Sequence, residues 1–153
     1  METLSPETLE FLEKNKGKKI VFTNGCFDIL HLGHVEYLNE AKAQGDLLVV
    51  AINSDESVRK LKGEDRPINN EHDRGSMLLN LKAVDCVQVF TGETPLEIIK
   101  LIRPNVLVKG GDWKPEQIVG SDFVASIGGE TKSLMFKSGY STSNLIKAVQ
   151  GKK

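Results

Sequence analysis

The sequence predicts an α/β protein in which helices cover both faces of a central, parallel five-stranded sheet. Short apolar runs alternate with amphipathic stretches along the chain, as in βαβ units. The run at residues 46–53 is apolar on consecutive positions, which is typical of a strand buried on both faces. With 153 residues and 39% hydrophobic content, the chain is expected to form one domain, with an N-terminal helix in 1–17 and a core over 18–150.

The first elements follow from capping residues and from β-branched runs. Ser5 is a suitable helix cap and Pro6 suits the first helical turn. Residues 19–24 form a compact apolar run that predicts the first strand. A second helix is expected from about Gly33 to Gly45, where glycine is a typical helix stop.

The middle of the chain contains one strand, one polar segment and one helix. Residues 46–53 predict the second strand, and the charged segment 54–69 is expected to be a loop with a helical turn. A helix is expected at about 70–82. Its inward-facing residues are predicted to be Met77, Leu78 and Leu81.

The last third continues the alternation. Residues 86–90 predict a strand, and the segment 94–97 combines a capping box with a first-turn proline to begin another helix. Arg103 and Pro104 are expected to end that helix. The remaining elements are two strands and a final helix, at residues 105–111, 130–136 and 141–150.

Charge and cysteine content favour a small-molecule function in the cytoplasm. The 20 basic and 21 acidic side chains give a net charge of −1, so neither nucleic acid nor a membrane surface is an expected partner. Cys26 and Cys86 form no CxxC motif, which suits a reducing compartment and packed thiols. Residues 1–19 show neither a secretory signal nor a membrane span.

Four polar clusters are expected to meet at one edge of the sheet. They lie after the first, second, fourth and fifth predicted strands, at residues 24–34, 54–63, 109–113 and 139–144. Because ligands bind at the carboxyl ends of parallel strands, near the point where the strand order reverses, these clusters predict one binding site.

Two histidines in the first cluster, His31 and His34, allow more than one interpretation. A catalytic zinc site needs a third protein ligand, and the remaining histidine, His72, has no ligand partner beside it, so no metal site is expected. Capping and packing at a helix start remain an alternative. The expected helix N-terminus favours an anion, and Gly33 allows a ligand to approach closely.

The HLGH sequence at 31–34 resembles the HxGH signature of the cytidylyltransferase-like nucleotidyltransferases. The ordered segments TNGCFDILHLGH, LVKGGDW and GYSTSNLI resemble, within that family, the adenylyltransferases of ADP-heptose synthesis, and the resemblance extends from about residue 18 onward. It implies a Rossmann-like fold and an enzyme that transfers AMP from ATP to D-glycero-D-manno-heptose 1-phosphate. The products would be pyrophosphate and ADP-heptose for the lipopolysaccharide core or a related glycan.

The resemblance also implies which residues act in catalysis. His31 and His34 would donate hydrogen bonds to the triphosphate, Lys62 rather than Lys60 would contact phosphate, and Arg74 would hold phosphate oxygens. The alternatives remain open. A charge run is usually a solvated face, and Arg74 could instead pair with Glu71 or Asp73.

Further positions are assigned by the same resemblance to the nucleotide and the acceptor. The nucleotide set is Thr23, Asn24, Gly25, Cys26, Phe27, Gly33, Lys109, Gly110, Gly111, Asp112, Ser141, Thr142 and Ser143. Asp28 and Trp113 are assigned to the acceptor. Core packing is an equal alternative for Phe27 and for Trp113, and an ordinary helix cap is the alternative for Ser141.

The resemblance carries expectations about partners as well. It implies Mg²⁺ with the triphosphate, a homodimer or larger oligomer, and a stand-alone enzyme with a separate kinase. Relatives that use CTP and glycerol phosphate have an arginine where this chain has Phe136, which weakens a cytidylyltransferase reading. Cytidylyl or guanylyl transfer to another phosphorylated alcohol or sugar, and a non-catalytic nucleotide-binding module, are the alternatives. A redox dinucleotide protein is disfavoured because GxGxxG is missing.

Overall fold

The computed structural model describes residues 1–135 and 141–151, and Phe136, Gly139 and Tyr140 of the sequence predictions lie outside them. The strands are β1 Ile20–Gly25, β2 Leu47–Asn53, β3 Cys86–Phe90, β4 Val106–Gly110 and β5 Glu130–Leu134. The helices are α1 Pro6–Lys14, α2 Leu32–Lys42, α3 Asp55–Lys62, α4 Glu71–Leu79, α5 Leu96–Ile102, α6 Ser121–Ser126 and α7 Thr142–Val149. A short 3₁₀ helix occupies Pro115–Gln117.

All strand pairs in the sheet are parallel, and their order is β3-β2-β1-β4-β5. The α/β Rossmann-like class and the five-stranded parallel sheet expected from the sequence are confirmed. The chain builds outward from β1 to β3 and then returns to the other side of β1 with β4. This reversal leaves a crevice at the carboxyl ends of β1 and β4, where ligands bind in such sheets.

The sheet buries a separate apolar cluster on each face, because side chains alternate along each strand. On one face, Val21, Val50 and Val108 pack with Leu38 of α2 and Leu78 of α4. On the other face, sheet residues including Phe22, Val49 and Leu107 pack with helices α5 and α6, and Phe11 of α1 is partly buried against them. Helices therefore cover both faces, and β2 is buried along its length after Leu47.

The segment expected to be a loop with a helical turn instead contains the eight-residue helix α3. Ser54 begins this helix by accepting a hydrogen bond from the Ser57 amide at 3.2 Å. Only one apolar residue of α3, Val58, is fully buried, whereas Leu61 is exposed. With only two apolar residues among its eight, α3 depends on its cap and on the neighbouring sheet, and the apolar pattern alone does not indicate a helix.

Three further details differ from the sequence predictions. Met77 is 46% exposed, and of the three residues expected inside only Leu78 is fully buried, with Leu81 partly buried against the core. The capping box at 94–97 is wrong, because Pro95 is the cap and the Thr94 hydroxyl accepts from the Leu96 amide at 3.4 Å. Helix α6 was not anticipated, since six residues are too few to show a period.

Within the described part of the chain, none of the helices combines the length and apolarity needed to cross a membrane.

Candidate active site

A cavity of about 660 Å³ opens at the crevice between β1 and β4. Thirteen of the residues assigned to the site from the sequence line it, and they come from all four polar clusters. They are Asn24, Gly25, Cys26, Phe27, Asp28, His31, His34, Lys62, Lys109, Gly110, Ser141, Thr142 and Ser143. The expected convergence of separate loops on one edge of the sheet is thus what the structure contains.

The loop after β1 is held in an unusual backbone conformation. Phe27 and Ile29 have φ angles of 50° and 45°, in the left-handed region that non-glycine residues rarely adopt. Between them, the Asp28 carboxylate is 0% exposed and accepts from the Ile68 amide at 2.7 Å and the Asn69 amide at 2.9 Å. The Asp28 carbonyl accepts from the Thr142 hydroxyl at 2.8 Å. These bonds offset the cost of the strained loop and fix its course.

Two histidines stand at the start of α2, with His31 at the cap position. Their rings stack with centroids 3.9 Å apart, and the Phe27 ring lies 5.3 Å from that of His34. The His31 backbone amide donates to Nδ1 of His34 at 3.2 Å. Since Nδ1 accepts, a neutral His34 carries its proton on Nε2 and has one donor there.

Burial favours the neutral form of both imidazoles. Burial, with a smaller contribution from neighbouring His31, lowers the pKa of His34 to about 4. Burial also lowers the pKa of His31. The pair therefore presents hydrogen-bond donors to an anion without two fixed positive charges in contact.

The two candidate lysines of α3 lie in different places. Lys62 lines the cavity. Lys60 forms a solvent-exposed ion pair with Glu56 at 3.4 Å, one helical turn away. The geometry therefore favours Lys62, as the resemblance did.

Arg74, assigned to phosphate from the sequence, lies outside the cavity and is 1% exposed. Its guanidinium donates to the Cys26 carbonyl at 2.7 Å, the Asn69 carbonyl at 3.0 Å and the Asp55 carboxylate at 2.8 Å. The alternative pairing with Glu71 or Asp73 is wrong, because the carboxylate that Arg74 contacts is that of Asp55. Arg74 joins α4 to the loop after β1 and to α3. In this arrangement it stabilises the elements around the cavity and does not line the cavity itself.

The KGGDW segment reaches the cavity only through its first two residues, Lys109 and Gly110. Gly111 has a φ of 118°, a conformation that favours glycine, and the chain then turns away. Asp112 and Trp113 are exposed, and Trp113 is not among the lining residues. The Trp113 ring instead lies 5.1 Å from Nζ of Lys109, a cation–π contact that holds the lysine beside the cavity.

The three hydroxyls at the start of α7 have separate roles. Ser141 caps the helix by accepting from the Asn144 amide at 3.0 Å. Thr142 bonds the Asp28 carbonyl, as described above. Ser143 is exposed at the cavity, so its hydroxyl is available to a ligand.

Two assigned residues act behind the cavity wall. Thr23 is fully buried, with Oγ1 2.6 Å from the Tyr37 hydroxyl, and Gly33 is buried in the first turn of α2. Burial raises the pKa of Tyr37 to about 12, so this hydroxyl stays protonated.

Burial also raises the pKa of the Cys26 thiol, although Lys62, Arg74 and Arg66 oppose that rise. The raised pKa suits a packed thiol.

Four lining residues were not identified from the sequence: Tyr37, Asn53, Leu61 and Arg66. Asn53 carried a usable signal, because it ends the strand beside β1 and so lies at the ligand-binding edge. Arg66 lay inside a run of charged residues, where composition gives no means of choosing one charge over another.

The described residues do not form a protein-built metal site, since no group of three or more His, Cys, Asp and Glu side chains is suitably placed among them. Asp28, the carboxylate among the lining residues, already accepts three hydrogen bonds, from Arg66, Ile68 and Asn69. These residues therefore do not provide a protein ligand set for Mg²⁺.

Comparison with known proteins identifies the relatives of the chain. The cytidylyltransferase-like family model matches residues 22–148. Bifunctional protein HldE of Aliarcobacter butzleri is 55% identical over 150 residues, covering 94% of this chain and 31% of that protein. Bifunctional protein HldE of Actinobacillus pleuropneumoniae serotype 5b is 56% identical over 140 residues, covering 92% and 30%. The chain thus spans less than a third of the length of these curated relatives.

Solved structures agree with the match to the cytidylyltransferase-like family model. The lipopolysaccharide core biosynthesis protein from Thermoplasma volcanium is 30% identical, with a TM-score of 0.64, and the match covers 79% of this chain and 98% of that one. A pantoate-β-alanine ligase from Francisella tularensis, 14% identical with a TM-score of 0.55 over 94% of this chain and 75% of its own, shares the fold. On the family match, the relatives and the cavity geometry, this chain belongs to the cytidylyltransferase-like family.

Proposed function

We propose that the chain is an adenylyltransferase that transfers AMP from ATP to D-glycero-D-manno-heptose 1-phosphate. The observation that carries this proposal is the stacked, neutral histidine pair at the start of α2, in one cavity with Lys62 and Lys109. A helix N-terminus, imidazole donors and two ammonium groups together suit the charge of a triphosphate.

In the proposed reaction, a phosphate oxygen of the sugar phosphate forms a bond to the α-phosphorus of ATP. The bond from the α-phosphorus to the bridging oxygen of the β-phosphate breaks, and pyrophosphate leaves with that electron pair. No covalent enzyme intermediate is needed, so the protein contributes alignment and charge stabilisation. His31 and His34 donate hydrogen bonds to the triphosphate, and the lysines neutralise charge that moves onto the leaving group.

The choice of ATP and a heptose phosphate rests on the family resemblance of the ordered segments. It is supported by the relatives called HldE and by the lipopolysaccharide core biosynthesis protein from Thermoplasma volcanium. Magnesium would accompany the triphosphate, held by phosphate oxygens and water rather than by a protein cage. A homo-oligomer that acts in the cytoplasm on a sugar already phosphorylated by a kinase activity completes the proposal.

The direct test is a pyrophosphate-release screen of ATP, GTP and CTP against a panel of sugar 1-phosphates and glycerol phosphate. Rapid release with ATP and the heptose phosphate, and little with other pairs, is expected. Turnover with CTP and glycerol phosphate but none with ATP and the heptose phosphate would overturn the proposal.

A non-catalytic nucleotide-binding module is the alternative of a different class. The variant His31→Ala separates the two, because a residue that acts mainly in the transition state affects turnover more than ATP affinity. We expect a large fall in kcat with ATP affinity mostly retained. Unchanged turnover in His31→Ala would contradict the catalytic role of the histidine.

A further inference from the structure

The cavity contains an arginine that the mechanism above does not use. Arg66 lies between α3 and α4 and lines the same cavity as the histidine pair and Lys62. Its side chain is only 13% exposed. A nearly buried cation in the wall of an anion-binding cavity calls for an explanation, because burying a charge is costly unless it is paired.

The pairing of Arg66 explains only part of its hydrogen-bonding capacity. Nε donates to the Asp28 carboxylate at 3.1 Å, and no further bond of this side chain occurs within residues 1–135 and 141–151. A guanidinium has five N–H donors in one plane. The two terminal nitrogens of Arg66 thus carry four N–H groups that the Asp28 contact leaves available to a ligand.

Asp28 holds this guanidinium in place at Nε and leaves the terminal nitrogens to a ligand. The carboxylate also accepts from the Ile68 and Asn69 amides and is itself fully buried, so its position is fixed by three donors. An arginine anchored at Nε in this way loses little side-chain freedom when its other end binds an anion. The second arginine nearby, Arg74, is committed to protein partners on all three of its nitrogens.

From this geometry we propose that Arg66, and not Arg74, is the arginine that binds substrate phosphate, with Asp28 as its positioning residue. The ligand chemistry is a phosphoryl group whose oxygens accept from the terminal nitrogens of the fork. It belongs either to the nucleotide triphosphate or to the phosphate of the acceptor. The inference deepens the proposed function and rests on it for the identity of these two substrates.

The test compares Arg66→Ala and Arg66→Lys with Arg59→Ala, which removes an exposed arginine of α3 outside the cavity. Calorimetry with inorganic tripolyphosphate and with inorganic phosphate measures anion binding without turnover. Loss of one charge-assisted contact is expected to weaken binding roughly 10- to 100-fold in Arg66→Ala. Arg66→Lys keeps a cation for Asp28 but cannot serve both partners as a fork, so we expect it to fold normally and still bind more weakly.

Steady-state kinetics then distinguish the two sources of phosphate. A raised KM for ATP together with weaker tripolyphosphate binding places Arg66 on the triphosphate, and a raised KM for the sugar phosphate alone places it on the acceptor. The inference is overturned if Arg66→Lys matches Arg59→Ala in both anion titrations and both KM values, even if Arg66→Ala fails to fold. Inactivity of the unmodified protein towards the heptose phosphate would defeat the proposed function, whereas the anion titrations would still decide the role of Arg66.

Discussion

At the scale of single residues, the two ring nitrogens of His34 differ in role: one accepts a hydrogen bond within the fold, and the other is the proposed donor to the substrate. Nδ1 accepts from the His31 amide and so helps to begin α2. In the proposed function, the ring nitrogen Nε2 carries the proton that is donated to the triphosphate. A substitution that keeps one function and removes the other can therefore separate packing from catalysis, the two interpretations that the sequence left open.

The variants His34→Asn and His34→Gln make that separation. Asparagine places an acceptor near the Nδ1 position but has no donor at Nε2, whereas glutamine places an amide N–H near Nε2. We expect His34→Asn to lower kcat about 100-fold or more, in the range of a lost oxyanion-type donor, and His34→Gln to lose distinctly less. Pyrophosphate release measures kcat, and urea unfolding checks stability. Equal activity of both variants would assign His34 to packing.

The lowered pKa of His34 also predicts how stability depends on pH. In the unfolded chain histidine titrates near its ordinary value of 6.5, whereas in the fold its pKa is about 4. Above pH 6.5 both states are neutral there and His34 contributes no pH dependence. Between pH 6.5 and 4 the unfolded state binds the extra proton, so stability falls as pH falls. The free energy of unfolding from urea titrations at pH 7, 6, 5 and 4.5 should fall less steeply in His34→Asn than in the unmodified protein. Parallel curves would contradict a buried neutral imidazole.

Arg74 is a residue whose main effect is expected on stability. Removal of its buried side chain breaks the bonds to the Cys26 and Asn69 carbonyls and to the Asp55 carboxylate. We expect Arg74→Ala to lower the free energy of unfolding by about 3–5 kcal/mol, as for a broken buried pair. Arg59→Ala, at an exposed position, should stay within about 0.5 kcal/mol. Similar values for the two variants in urea unfolding would show that Arg74 does not hold the loop.

At the scale of secondary structure elements, apolar runs located strands β1 to β4, whereas β5, with the sequence ETKSL, is mostly polar. The run over β2 is buried on both faces, and its unbroken apolar sequence reports that directly. Helix α3 was missed because its sequence DESVRKLK is almost entirely polar, and a Ser54 cap determines where it begins. Periodicity reveals elements that bury an apolar stripe, and it says little about short helices fixed by caps and neighbours.

The same limit applies to the site. The sheet edge predicted which loops meet, because parallel strands all end on one side. It did not predict which arginine faces the cavity, since the partners of Arg74 are 5, 19 and 48 residues away along the chain. Such distant pairings follow from the completed fold and have no local signature in the sequence.

Helix α7 is attached to the rest of the site through its first residue. The Thr142 hydroxyl donates to the Asp28 carbonyl across 114 positions of sequence. The isosteric variant Thr142→Val should lower the free energy of unfolding by about 1 kcal/mol, the net contribution of one hydrogen bond. Ser143→Ala, next to it but exposed, should change stability by less than about 0.5 kcal/mol. Urea unfolding of both variants provides the measurement, and equal losses would argue against the Thr142 contact.

At the scale of the whole molecule, the strand order explains why the site draws on both ends of the sequence. Strands β1 and β4 lie side by side although more than 80 residues separate paired positions such as Val21 and Val106. One wall of the cavity thus comes from the first half of the chain and the other from the last third. A substrate bound between these two walls is expected to contact residues from both parts of the chain.

Two amide hydrogens bonded to the buried carboxylate of Asp28 are expected to exchange at a rate that depends on whether the cavity is occupied. Ile68 and Asn69 lie in an irregular segment, where amide hydrogens ordinarily exchange with solvent quickly, yet both donate to Asp28. Their exchange requires the contact to open. In hydrogen–deuterium exchange, we expect tripolyphosphate to slow these two amides while exposed Glu64 and Asp65 exchange as before. An equal change at all four positions would show general stabilisation instead. A change confined to Ile68 and Asn69 would make these two amide hydrogens a measure of whether the phosphate site is filled.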